Sequence, residues 1–398
     1  MAETKRLYDL DTLRAYMVLL IVLLHTSCAY AFSIPWWHAQ DQKHMFFDVL
    51  NFIIDNFALA VLFFVAGVFA WPSLKRRSPG SFVLGKLKRL GLPLVLLSAF
   101  YMPAMVYVGY LHRAPETVGF WPYWLHWMQT AGDWSIKLIT TMEDSAPYAD
   151  AFSPHPLWFV SMLLIFFLAY ALWRAIVPAK DSAGPRIGVA LLICGGLMFA
   201  GYALINTLVQ DWAWARIGPL VLFQPTRVPV YAMAFVLGIM ARPRMDRDRP
   251  MPGPIWLWLC LFLLAQAAMV LSIEAFFSTP GPAPLPVALM HASFRTLLTI
   301  SAICLTANAS RRLWAAPSAW RSSLAASSYD IYMLHMPLVV FAQTLLIPAP
   351  VPLIFKWATA FTVTVALCWL LSRSLAKWGP TLYAALLAIY FLGFCLLT

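Results

Sequence analysis

The sequence predicts an all-α fold, a polytopic transmembrane helical bundle of about ten or eleven spans. Three observations carry this. The 398-residue chain is 62% hydrophobic and 11% charged, whereas an ordinary soluble domain carries about 25% charged residues. The deficit runs the whole length, in apolar stretches of roughly the 20 residues that a helix needs to cross the hydrocarbon core. Between the stretches, short basic clusters recur at alternate connections, the pattern of loops held in the cytoplasm.

The stretches lie at 12–32, 49–71, 91–110, 156–177, 187–208, 226–241, 254–275, 286–308, 327–347, 352–372 and 379–398. With the N-terminus inside, the basic clusters near 75–89, 174–186, 242–249, 311–321 and 373–377 are all cytoplasmic. The loops at 33–48, 111–155, 209–225, 276–285 and 348–351 then face outward, and their basic residues are few: Lys43, Arg113, Lys137 and Arg216. The expectation is one domain over 1–398, in a bacterial inner membrane, with the N-terminus cytoplasmic and a long outward loop at 111–155. Proline-rich pieces fall at connections, where a missing N–H is harmless.

The net charge of +11 does not point to nucleic acid, because its residues sit in topology clusters rather than on one surface. The start resembles a signal peptide, with Ala29, Tyr30 and Ala31 imitating a cleavage site. Cys28 does not make a lipoprotein site, because His25 occupies the apolar position such a site needs, and further spans follow, so the segment reads as an uncleaved first span. The six cysteines (Cys28, Cys194, Cys260, Cys304, Cys368 and Cys395) lie in apolar runs without metal-ligand spacing. They read as small buried hydrophobes, with no disulfide and no metal site.

Arg14 and His25 are the most informative pair. Ten residues separate them. Eleven helical steps of about 100° return nearly to the same face, roughly 16 Å along the axis. Ionisable groups at such depth cost on the order of 2.5–3.5 kcal/mol each. Asp11, three residues before Arg14, can pair with it. A neutral imidazole nitrogen can take a proton from an alcohol; the alternative is a histidine packed in the bundle and bonded to a neighbour.

Lys86, Lys88 and Arg89 open the third span. Three cations at a helix N-terminus suit a phosphate-bearing ligand, or simply a positive-inside signal. No glycine-rich phosphate loop exists, which argues against ATP. Further polar residues lie within spans: Asp55, Arg227, Glu274, Arg295 with His291 one turn away, and Ser328, Tyr332 and His335 on one face with Asp330 opposite. Each alone could be interhelical glue; together they imply a hydrated path. The 111–155 loop holds Trp121, Tyr123, Trp124, Trp127 and Trp134 beside Asp133, Glu143, Asp144 and Asp150. That is an interfacial aromatic belt or a platform for sugar.

The chain resembles acyltransferase family 3, integral-membrane enzymes that acylate extracytoplasmic glycans. The resemblance rests on the Arg14/His25 arrangement within Leu-Asp-Thr-Leu-Arg-Ala and on Leu-Phe-Phe-Val-Ala-Gly at 62–67. It continues through the basic 86–93 stretch, Pro-Leu-Trp-Phe at 156–159, the 227–238 segment and Ser-Ser-Tyr-Asp-Ile-Tyr-Met-Leu-His-Met-Pro at 327–337. Lys86 replaces a frequent arginine, which makes phosphate binding less bidentate, and Pro156 replaces a common polar residue. The first loop and second span look somewhat like enzymes that succinylate periplasmic glucans.

The resemblance implies transfer from cytoplasmic acyl-CoA, a donor substrate rather than a permanent cofactor, to a hydroxyl of an outward glycan or glycolipid. His25 would be base or transient acyl carrier, and Arg14 would fix the donor or balance charge. Lys86, Lys88 and Arg89 would hold the donor's phosphates. Arg295 and Arg227 would stabilise an oxyanion or hold an anionic acyl group, with His291, Tyr332 and His335 as further site candidates. The alternative from another class is a proton-coupled permease. Intramembrane histidine, arginine and acid residues suit it equally, but no repeat between the halves is evident.

Overall fold

The computed structural model describes residues 7–113, 118–140, 151–177, 186–245, 250–273 and 281–378. Helix α1 (Tyr8–Ser27) continues through a 3-10 turn to Tyr30, and α2 (Met45–Lys75) returns. The third path is assembled from α3 (Pro79–Lys86), a π-helical turn (Leu87–Gly91), α4 (Leu92–Phe100) and α5 (Met102–Arg113). A short α6 (Phe120–Gln129) precedes α7 (Trp158–Ile176) and α8 (Ile187–Asn206). Then follow α9 (Val228–Met245), α10 (Ile255–Leu271), α11 (Leu285–Trp314), α12 (Ala319–Leu346) and α13 (Leu353–Trp378).

Eight segments, with α3 to α5 taken as one, are long and apolar enough to cross a membrane. The shorter apolar α10 and the arginine-ended α9 occupy two more of the predicted spans. The predicted span at 379–398 lies outside the described residues, as do Glu143, Asp144, Asp150 and Glu274. The protein is a multi-pass membrane protein. Helix direction alternates, so Asp11, the π turn and Arg311 share one end, called here the basic end, and the loop at 31–44 and α6 share the other.

The third path differs from expectation in where it starts. It begins at Pro79, so the basic cluster sits inside it, with Lys86 ending α3 and Lys88 and Arg89 in the π turn, rather than at a helix N-terminus. Pro79 provides a helix start with Ser78 as cap, its side chain accepting from Ser81 N. Pro103 breaks the path again. It has no N–H for the Ala99 carbonyl four residues back, and Trp124 Nε1 donates to that carbonyl at 2.9 Å. Trp127 Nε1 takes the adjacent Ser98 carbonyl at 3.0 Å. Two of the loop tryptophans are therefore pins that fasten α6 to the break, while Trp121 and Trp134 remain exposed.

The other end carries the only strands among the described residues, a small antiparallel sheet that the helical reading did not foresee. Its strands β1 (Ile136–Ile139), β2 (Trp214–Ile217) and β3 (Val221–Phe223) run in that order, with Ile136 opposite Ile217. The sheet joins the connection after α6 to the one after α8. Arg216 is buried in it, and donates from Nε to Gly218 O and from Nη2 to Phe152 O.

Packing is tightest where α2 crosses α9. A Cβ on Gly67 would overlap the Phe235 carbonyl oxygen, and a Cβ on Gly238 would overlap that of Phe64. In a membrane, where no hydrophobic drive pulls helices together, such backbone contact is how helices gain attraction. Beside the crossing, Phe63 packs against Phe159, Phe166 and Tyr231. Cys28, Cys194, Cys304 and Cys368 are buried as expected, but Cys260 is exposed, because α10 is peripheral and turns much of its apolar surface outward.

Candidate active site

Helices α1 and α12 run in the same direction, and the polar residues of each meet those of the other. Arg14 donates from Nε to Ser328 Oγ at 3.2 Å and from Nη2 to Ala325 O at 3.0 Å. Its Nη2 also lies 3.4 Å from Asp11 Oδ1, the pairing expected from their spacing. Arg14 is about a third exposed, so it lies at the basic end rather than in the interior.

One helical path further in, His25 Nδ1 lies 2.9 Å from His335 Nε2. His335 Nδ1 faces two backbone carbonyls of its own helix, Tyr332 O at 2.7 Å and Ile331 O at 3.2 Å. Carbonyls only accept, so in the neutral ring the His335 proton sits on Nδ1. His335 Nε2 then accepts, and His25 Nδ1–H donates to it. The lone pair of His25 is left on Nε2, the nitrogen on the far side of the ring. A histidine whose outward nitrogen is a lone pair, with its other nitrogen anchored, is the arrangement a general base requires.

Two residues that the sequence did not single out fix this geometry. Trp37 lies over His25 with ring centroids 5.8 Å apart and planes at 10°. Gln343 Oε1 accepts from Trp37 Nε1 at 2.8 Å, while its Nε2 donates to Thr26 O at 2.8 Å and His25 O at 3.3 Å. Those carbonyls belong to the last turn of α1, where helix carbonyls run out of partners. One buried glutamine thus closes the helix end and holds the ring over the histidine. The loop carrying Trp37 is tied to α13 by the buried Lys356–Asp41 pair at 3.0 Å.

The other α12 candidates divide as their spacing predicts. Tyr332 OH donates to Pro156 O at 2.7 Å, and its ring is 5.6 Å from that of His335. Asp330, on the opposite face, accepts from Ser372 Oγ. Tyr329 OH donates to Arg89 O at 2.6 Å, which places the π turn at the basic end with Arg14. In that turn Lys88 and Arg89 are exposed. Lys86 instead lies over the faces of Phe82 and Phe167, at 5.1 and 3.6 Å from the ring centroids.

Arg295, Arg227 and His291 gather in a second polar cluster, around Asp55, Asn56 and Asp211. Arg227 pairs with Asp55. Arg295 donates to Asn56 Oδ1 at 2.7 Å and lies 3.6 Å from Asp211 Oδ2. Tyr202 OH donates to Asp211 Oδ1 at 2.7 Å, and Asn56 Nδ2 to Gln266 Oε1 at 3.2 Å. The two arginines are thus answered by two carboxylates. No cluster of three or more potential metal ligands occurs among the described residues.

The family described as acyltransferase domain matches residues 7–373. Over 120 residues the chain is 27% identical to the glucans biosynthesis protein C of Escherichia coli strain SMS-3-5 / SECEC and 26% identical to that of strain K12. Those matches span 30% of this chain and 30% of the relatives' length. No solved structure matches the chain. The family match takes in α1, α12 and nearly all that lies between and beyond them, and the chain belongs to this acyltransferase family.

Proposed function

We propose that the protein moves an acyl group from acyl-CoA, arriving at the basic end, to a hydroxyl of a glycan or glycolipid on the opposite side of a bacterial inner membrane. The observation that carries this reading is the His25–His335 pair, whose hydrogen bonds leave His25 Nε2 as the acceptor of a proton. The family match supports acyl transfer, and the likeness to proteins named for glucan biosynthesis supports a glycan acceptor. The basic end carries the clustered cations, which by the positive-inside tendency makes it, and the N-terminus, cytoplasmic.

In this reading the donor's phosphates lie against Lys88 and Arg89, with Lys86 held at the edge of the same turn. Arg14 fixes the donor at the basic end, and the thioester extends along α1 towards His25. His25 Nε2 takes the acceptor's hydroxyl proton as its oxygen attacks the thioester carbon. The carbon–oxygen bond forms, the carbon–sulfur bond breaks, and the departing thiolate takes the proton back from His25. His335 keeps the His25 ring in its tautomer throughout, and Trp37 keeps it in its plane. Arg295 and Arg227, answered by their carboxylates, brace the helices that frame this path.

The test is mass spectrometry of surface and periplasmic glycans from cells with and without the gene. The expected result is loss of one acyl mass from one glycan species. Unchanged glycans together with altered uptake of a solute would overturn this reading in favour of a permease.

A further inference from the structure

Beyond His25, away from the basic end, the aromatic contacts continue in an unbroken run. Trp37 meets His38 at 5.9 Å between centroids, His38 meets His155 at 6.0 Å, and His155 stacks on Trp127 at 5.5 Å with planes at 14°. His38 is 6% exposed. Its Nδ1 and the Nε2 of His155 are buried without a hydrogen-bond partner. Buried polar atoms nearly always have partners, and two such orphans on neighbouring rings call for a ligand.

The backbone around them is shaped for one. His155 has φ 43°, the one non-glycine residue with positive φ among those described. An L-residue held there is strained and persists where the surroundings enforce it. Gly109 faces the pair with no side chain. A Cβ there would stand 2.5 Å from His38 Nδ1 and 2.5 Å from Arg113 Nη1, so both nitrogens converge over a bare Cα. Arg113 reaches in from an exposed position at the end of α5. Arg216, buried in the sheet and 3.6 Å from Asp133 Oδ2, adds a second, partly answered positive charge felt at His155. Burial, then His155 and Arg113, hold the His38 ring well below the usual histidine range. The positive surroundings favour a negative ligand.

We propose that His38, His155 and Arg113 form a subsite for an anionic oxygen group, carboxylate or phosphate, carried by the acceptor. It lies ahead of the hydroxyl that His25 deprotonates. This rests on the acyl-transfer reading above. The subsite anchors the charged end of the acceptor, and the ring path through Trp37 delivers a neighbouring sugar to His25. Selection is then for charged glycans over neutral ones.

Equilibrium dialysis of the purified full-length protein in detergent tests it, with radiolabelled glucose 6-phosphate, glucuronate and glucose as probes. At least one charged sugar should bind saturably, and glucose should not. Arg113→Gln, at an exposed position, should weaken that binding tenfold or more, and Arg113→Lys should retain part of it. A variant neutral at the donor turn, K86Q/K88Q/R89Q, should bind as the parent does. Absence of saturable binding by either charged sugar would overturn the proposal. So would equal binding of glucose, or binding that survives Arg113→Gln. Binding lost with the donor turn instead would assign the anion to the other end. The dialysis involves no acyl transfer, so glycans left unchanged by loss of the gene would remove the acyl-transfer reading without touching this result.

Discussion

Ser328 and His335 stand seven residues apart on α12, and between them they receive Arg14 and His25, which stand eleven apart on α1. Seven residues rise about 10 Å along a helix and eleven about 16 Å. The difference is taken up by the arginine, whose long side chain leans along the helix to reach Ser328 Oγ. The arginine therefore reports the register between two parallel helices, and the histidine uses that register.

Replacing His25 by Gln should lower acyl transfer by about 10²–10⁴-fold, the range for loss of a general base, and by more if the ring carries the acyl group. Its melting temperature in detergent should stay near that of the parent. Turnover per folded molecule is the measurement. Substantial turnover in a well-folded variant would remove His25 from the chemistry.

His335→Phe should act through His25. Without an acceptor at His335 Nε2, His25 Nδ1–H loses its anchor and the ring is free to adopt the other tautomer. Loss of the orienting partner of a catalytic histidine costs up to about 10⁴-fold. The expected signature is a fall in kcat with the donor KM little changed, and partial recovery in His335→Gln, whose amide oxygen can accept. An equal loss in both variants would count against the tautomer argument.

Neutralising Lys86, Lys88 and Arg89 together should weaken acyl-CoA binding and make what remains less sensitive to salt. Among the single changes, Lys86→Gln should be the mildest for binding, because that ammonium is already committed to two aromatic faces. Unchanged CoA affinity with failed membrane insertion would make the cluster a topology signal only.

Gly67→Ala and Gly238→Ala should each destabilise the protein, because each new methyl group meets a backbone carbonyl that cannot move aside. Overpacking of this kind costs about 1–3 kcal/mol. Melting in detergent reads it, with Gly132→Ala, where a Cβ meets nothing within 4 Å, as the control. Equal melting of all three would mean that α2 and α9 separate without cost.

Asp211 should govern stability in acid. Burial alone would raise its carboxyl, but Arg295 and Arg227 outweigh that and hold it below the usual value of 3.8. A carboxyl depressed in the folded state stabilises above its unfolded pKa of about 3.9 and loses that contribution as pH falls through the folded value. Asp211→Asn should therefore be less stable than the parent at pH 7, by up to about 3–5 kcal/mol for a broken buried pair. The gap should close below about pH 4. A gap independent of pH would assign the effect to packing.

Arg14, His25 and His335 were legible from the chain alone because helical spacing fixes which face a residue occupies, and charge inside an apolar run is costly enough to stand out. The pairing of Asp11 with Arg14, and the split of Tyr332 from Asp330, follow from the same periodicity. Gln343 and Trp37 were not legible, since a glutamine and a tryptophan near helix ends are ordinary in a membrane protein. Asp211 sits in a short connection where acids are common, and only the structure brings it to Arg295. The basic turn was read as a helix start because the apolar stretch begins just after it, at 91; the capping serine at Ser78 was the truer signal. The sheet escaped because its strands are 3–4 residues long and come from separate loops.

The two rings of the histidine pair lie 310 positions apart in the chain. During synthesis α1 enters the membrane at the outset and α12 close to the end, with the other described spans but α13 inserted between. For all that time the nascent polypeptide carries His25 without the partner that holds its ring. The pair forms only as the penultimate described helix slides into register beside the first. If the pair carries the proposed chemistry, a chain that ends before α12 should be inert, and a separately expressed piece spanning α12 and α13 should restore it.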